Sequence, residues 1–189
     1  IMFLFGSAYP VGKLGVNHFP PYLFAALRSS VLALILIPFL KFELPPRHLM
    51  WPLVGFCACM GVGTYAPIFA ALAISESVAP IIIGSQLSIP FAVILGWMVL
   101  REKVSGAIWA AIAAGFAGII IIAYEPSLLR DLPALALSVL SAFFYASATV
   151  LARRLRELGS SPLNGWMAFT AILPLLAISF ALETGQVEA

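Results

Sequence analysis

In a chain of 189 residues, 62% are hydrophobic and only 10% charged, against about 25% charge in an ordinary soluble domain. The formal net charge of +2 is spread over separate short segments, so no continuous basic stripe exists and nucleic-acid binding is excluded. Cys57 and Cys59 are spaced CxC with no histidine nearby, which argues for two small packing residues and against a metal site.

Seven apolar stretches follow one another: residues 1–16, 21–40, 49–74, 77–100, 105–124, 133–152 and 162–182. A hydrocarbon core ~30 Å thick takes about 20 apolar residues to cross as a helix. Nothing in that core satisfies bare backbone, so the spans should be helices. The sequence predicts an all-α, polytopic membrane bundle.

The first stretch is short for a span, and Ile1 is not an initiator residue, so part of this helix is expected to lie ahead of the sequence. No basic leader with a small-residue cleavage site supports a signal peptide. The stretch carries Ser7, Tyr9 and Pro10 and ends near Lys13, a cation placed to snorkel outward.

The second stretch holds Arg28 about seven residues in, roughly 10 Å along the helix at 1.5 Å per residue. An arginine at a helix centre costs at least ~2.5 kcal/mol. Two readings stand: a positive group lining a cavity and attracting a carboxylate, or an arginine that snorkels or caps a neighbouring carbonyl. Thr64, Tyr65 and Pro67 in the third stretch, with Gly61 and Gly63 for close packing, form a polar pair beside a helix-shaping proline.

The fourth stretch has the densest polar set, Ser85, Gln86 and Ser88, followed by Pro90. Counted from either end these fall near the bilayer midplane. Proline cannot donate to its own helix and frees a carbonyl in the turn before it. A substrate wall is the sharper reading, and interhelical hydrogen bonding the plainer one. Glu102, between Arg101 and Lys103, ends this span as a salt-bridged turn or a gating contact. In the fifth stretch Ala111 with Gly115 and Ala114 with Gly118 make small-xxx-small pairs for helix packing, within the bundle or across a homodimer. The sixth offers Ser147 and Thr149, hydroxyls that commonly bond their own helix.

Cations alternate between the gaps. Lys41 and Arg47, then Arg101 and Lys103, then Arg153, Arg154 and Arg156 occupy the even gaps, seven in all, against Arg130 alone in the odd ones. Cationic loops stay cytoplasmic, so the first helix starts inside and the chain ends outside, as a multi-pass protein of the plasma (inner) membrane. Trp51, Trp97, Trp109 and Tyr124 sit towards span ends, where aromatic rings prefer the interface.

Gly6-Ser7-Ala8-Tyr9-Pro10-Val11-Gly12-Lys13 aligns with Ala146-Ser147-Ala148-Thr149-Val150-Leu151-Ala152-Arg153. The repeat returns after five spans, an odd number, so the second copy enters from the opposite side. Such inverted repeats build many secondary transporters.

At this point the residues resemble a known family. Pro20-Pro21-Tyr22-Leu23-Phe24-Ala25-Ala26-Leu27-Arg28 is similar to the start of the second helix in EamA-type proteins of the drug/metabolite transporter superfamily. Residues 85–124, with Pro90, Arg101-Glu102-Lys103, Gly115 and Gly118, resemble that family's fourth and fifth helices. Phe5 stands where the family usually has tryptophan. The resemblance implies ten helices in two five-helix repeats. Residues 1–124 would be the first, residues 132–189 the start of the second, and three helices would follow Ala189. It also implies an exporter of amino acids or related metabolites.

The expected function is therefore export of a small metabolite by alternating access, with a small-molecule substrate and the lipid bilayer as partners. Arg28 would supply positive potential, Gln86, Ser88 and their polar neighbours would hydrogen-bond the substrate, and Pro90, Pro67 and Pro10 would shape their helices. The rival is a non-transporting scaffold subunit or a membrane enzyme. Against an enzyme, no nucleotide, zinc or hydrolase fingerprint is present, and His18 and His48 lie in opposite-side loops. No cofactor is expected.

Overall fold

The structure, a computed structural model, describes the backbone of residues 2–39, 46–123 and 131–183, and all of their side chains except those of residues 2–7, 39, 122 and 123. Expectations placed on Ile1, Leu40, Lys41, Tyr124, Arg130 and the last six residues lie outside this set, as do those on the side chains of Phe5 and Ser7.

The described elements are helical throughout. They are α1 (Met2–Val16), α2 (Pro21–Leu36) with a 3-10 turn at Ile37–Phe39, and α3 (Arg47–Cys57), which runs through a π-helical segment (Ala58–Thr64) into α4 (Tyr65–Ile74). Then come α5 (Ala79–Ser85), α6 (Ser88–Leu100), α7 (Gly106–Ala123), α8 (Leu132–Arg154), a 3-10 turn (Arg156–Leu158) and α9 (Ser160–Leu182). Prolines open α2, α5 and α8 in their first turns, where a missing N–H leaves no helical bond unmade.

Among the described residues, four helical runs are long and apolar enough to cross a membrane: Arg47–Ile74, Ala79–Leu100, Leu132–Arg154 and Ser160–Leu182. Pro21–Leu36 and Gly106–Ile121 are shorter apolar helices. The chain is an all-α, multi-pass membrane protein.

The long helix α8 lies against α3, the π segment, α4, α5 and α6, and α9 lies along α2 and the π segment. Small residues let these backbones approach. Ala25, Ala26 and Ala33 of α2 and Ala168 and Ala171 of α9 are almost wholly buried. Gly61 has no room for a side chain, since a Cβ there would stand 2.8 Å from the Cβ of Ala171. Without a hydrophobic drive between helices in lipid, such close contact is what holds them together.

Among the described residues two buried clusters result. One joins Phe69 and Leu72 of α4 with Ile81, Ala134 and Leu175; the other joins Leu53 and Phe56 of α3 with Ala148, Leu155 and Met167. Helix α7 stands at the edge. Its contacts with α6 include the edge-to-face ring pairs Phe91–Phe116 at 5.8 Å and Trp97–Trp109 at 5.4 Å. Gly106, Gly115 and Gly118 have nothing within 4 Å of a Cβ position.

Candidate functional site

Two long spans lose α-helical geometry midway, and both breaks rest on α8. The first is the π segment, three residues ahead of Pro67. Its carbonyls need partners beyond the ordinary ladder, and Thr64 provides one: its hydroxyl donates to the Cys59 carbonyl at 2.9 Å. The Thr64 carbonyl in turn accepts the buried Ser141 hydroxyl of α8 at 2.8 Å.

The second break is the turn at Gln86 and Leu87, between α5 and α6. Pro90 has no N–H for the Gln86 carbonyl, and Ile89 N–H takes that role at 3.2 Å in a tighter turn. Gly84, just before the turn, fits directly against Ser138 of α8. Ser138 and Ser141 are three residues apart, so α8 presents one serine to each break from a single face.

The other sequence-marked residues divide between these regions. Arg28 places its guanidinium carbon 4.3 Å from the centre of the Tyr65 ring, immediately after the π segment. Tyr65 continues into a ring series, 6.3 Å from Phe69, which meets Phe24 edge-on at 5.3 Å. Arg28 and Tyr65 are therefore brought together, while the hydroxyl of Thr64, next to Tyr65 in the chain, is held by the π segment.

Ser85, Gln86 and Ser88 form a group at the α5–α6 turn. Ser85 donates to the Ile82 carbonyl of its own helix at 2.7 Å, Gln86 is exposed and Ser88 half-buried. Tyr9 packs against the Phe69 cluster and Pro10 is exposed. Ser7 lies in α1. Ser147 and Thr149 bond the Phe143 and Tyr145 carbonyls of α8, each at 2.9 Å. Ala111, Ala114 and Gly115 face outward on α7, and Gly118 is half-exposed.

A cavity of about 690 Å³ opens beside the π segment, between α3, α8 and α9. Leu53, Cys57, Val62, Gly63, Phe144 and Trp166 are among its walls, and Thr170 adds a hydroxyl. The polar residues singled out in the sequence are not among its lining residues. Sequence reasoning missed this place because its lining is apolar, and one apolar membrane residue reads like another until packing is known. Ser138 and Ser141 carried the recoverable signal: two serines three apart in an apolar helix.

Charges tie the bundle at its ends. At one end the Lys13 ammonium donates to the Leu72 carbonyl at 2.7 Å and to the Ser75 carbonyl, capping α4. The Ser75 hydroxyl reaches Asp131 at the start of α8 at 2.9 Å. Glu183 accepts the N–H groups of Tyr22 and Leu23 at 2.7 and 3.2 Å, placing an acid on the positive end of α2. At the other end Arg153 of α8 holds both Glu102 oxygens, at 2.6 and 2.7 Å. Among the described residues no three His, Cys, Asp or Glu side chains gather to hold a metal.

Residues 1–124 match the model of the EamA-like transporter family. Over 97% of its length the chain is 27% identical to a Salmonella typhimurium protein named "Probable amino-acid metabolite efflux pump". It is 23% identical, over the same share, to an Escherichia coli protein of the same name. The chain spans 62% of the length of each of these relatives. No solved structure matches it significantly. With the family match covering the larger part of the chain, this protein belongs to the EamA-like transporter family.

Proposed function

We propose that the protein exports small metabolites, such as amino acids or related carboxylates, from the cytoplasm across the plasma (inner) membrane by alternating access. The names of the two relatives point to amino-acid metabolites as cargo. The observation that carries the reading is the pair of helix breaks on α8, one of which lines a cavity. Irregular backbone at membrane depth is tolerated where it is buried in protein or faces a cavity, and carriers build their sites from such discontinuous helices. A scaffold that only packs has no use for either break.

In this reading residues 1–124 and the segment from 132 onward are inverted copies that rock about the broken region. Ends rich in Arg101, Lys103 and Arg153–Arg156 face the cytoplasm. Arg28, held over Tyr65, contributes positive potential for a carboxylate. Gln86 and Ser88 hydrogen-bond the cargo, and the apolar cavity receives its side chain.

Export of labelled amino acids from cells or vesicles tests the reading. Loss of export with Arg28→Ala and Gln86→Ala, at unchanged protein level, supports these roles. Unchanged export in both removes the assignments but leaves the transporter, whereas no transport by the unaltered protein removes the function itself.

A further inference from the structure

We propose that the notch at the Arg101 end of α6 binds the headgroup of an anionic phospholipid. The notch has a volume of about 780 Å³ and is walled by Trp97, Met98, Arg101, Glu102, Lys103 and Val104. Its floor is apolar and exposed: Trp97 packs edge-to-face on Trp109 at 5.4 Å, and Met98 and Val99 beside it are open to the surroundings. Two cations stand above a tryptophan pair at the end of a membrane helix, the level where headgroups lie.

The backbone explains why these cations are available. Arg101 adopts left-handed geometry, φ 55°, and Glu102 N–H turns back to the Gly96 carbonyl at 3.4 Å, closing α6. Glu102 therefore folds over Gly96, where a Cβ would stand 2.9 Å from a carboxylate oxygen. There it is taken by Arg153 from α8. Arg154 is engaged as well, donating to the Val99 carbonyl at 3.2 Å.

The one acid of the 101–105 connection is thus neutralised from behind. Arg101 and Lys103 remain exposed at the notch, with no carboxylate partner among the described residues. A phosphodiester fits between two such cations, while acyl chains lie along the exposed apolar side of α6. The presence of anionic lipid on this side rests on the cytoplasmic orientation proposed above. Binding itself does not depend on that orientation, so the two can fail separately.

The test is native mass spectrometry of the purified full chain released from micelles containing phosphatidylglycerol or phosphatidylcholine. The expected result is preferential retention of phosphatidylglycerol. Affinity should fall about fivefold with R101G and about fivefold with K103Q, the effect of one cation near an anionic lipid surface, and about twenty-five-fold with both. Glycine suits the left-handed backbone at position 101, so R101G removes charge without straining the turn.

R156Q removes a cation from the neighbouring connection and should leave binding unchanged. Equal retention of the two lipids overturns the proposal, and so does an equal loss with R156Q, which would mark diffuse surface charge. Displacement by millimolar glycerol phosphate would assign the notch to a soluble phosphate compound, also against it.

Discussion

Gly84 of α5 lies so close to Ser138 of α8 that a methyl group at position 84 would overlap the Ser138 hydroxyl. The contact sits just ahead of the turn that divides α5 from α6, so it fixes where that broken helix rests on α8.

Gly84→Ala should therefore destabilise the protein by about 1–3 kcal/mol, the usual range for overpacking a close contact. Ser138→Ala in the same chain should recover part of the loss, because it removes the hydroxyl and leaves the Ser138 Cβ at 3.1 Å and the Leu135 Cδ1 at 3.3 Å from the new methyl. Thermal unfolding in detergent of the single and double variants checks both statements.

The stack of Arg28 on Tyr65 predicts a coupling between the two positions. Tyr65→Leu and Arg28→Leu should each lower export. Their combination should fall short of the sum by about 1 kcal/mol in apparent activation energy, the size of a partly exposed cation–π contact. Tyr65→Phe keeps the ring face and should behave nearly as the unaltered protein. A double-mutant cycle on export rates measures this.

Glu102 and Arg153 are each at least a third exposed, so their pair contributes little to stability, about 0–1 kcal/mol. Its effect should instead appear in how firmly α6 and α8 are held together at this end. Glu102→Gln should raise the reactivity of a cysteine introduced at Val99 towards a water-soluble maleimide, with the melting temperature almost unchanged. The exchange of charges, Glu102→Arg with Arg153→Glu, should bring that reactivity back down.

Lys13→Met should leave the Leu72 and Ser75 carbonyls at the end of α4 without their charged donor. A loss of about 1–2 kcal/mol is expected for a charge-assisted bond to a helix C-terminus, read as a lower melting temperature. Lys13→Arg should retain most of it.

The positions of the helices could be read from the sequence because hydrocarbon admits few alternatives: long apolar runs, cationic gaps and prolines at helix starts carry that information residue by residue. The site could be read only in pieces. Arg28 and Tyr65 stand out as polar groups in apolar runs, but their stacking joins α2 to α4 and has no local signature. Pro67 is visible, yet the π segment before it depends on Ser141 and Ala171 from α8 and α9. Glu102 is visible too. That its partner is Arg153, 51 residues away, and not a neighbour in its own turn, follows from the left-handed backbone at Arg101 and the space over Gly96.

Cys59 offers the most direct measurement of the proposed cargo path, since Cys57 and Cys59 are the two cysteines of the sequence and both line the cavity beside the π segment. With Cys57→Ser, Cys59 alone can be labelled by a small water-soluble maleimide in membranes, with and without a saturating exported amino acid. If the cargo passes through this cavity, Cys59 reacts and the cargo slows the reaction severalfold. Active export with a labelling rate that no cargo changes would contradict that path.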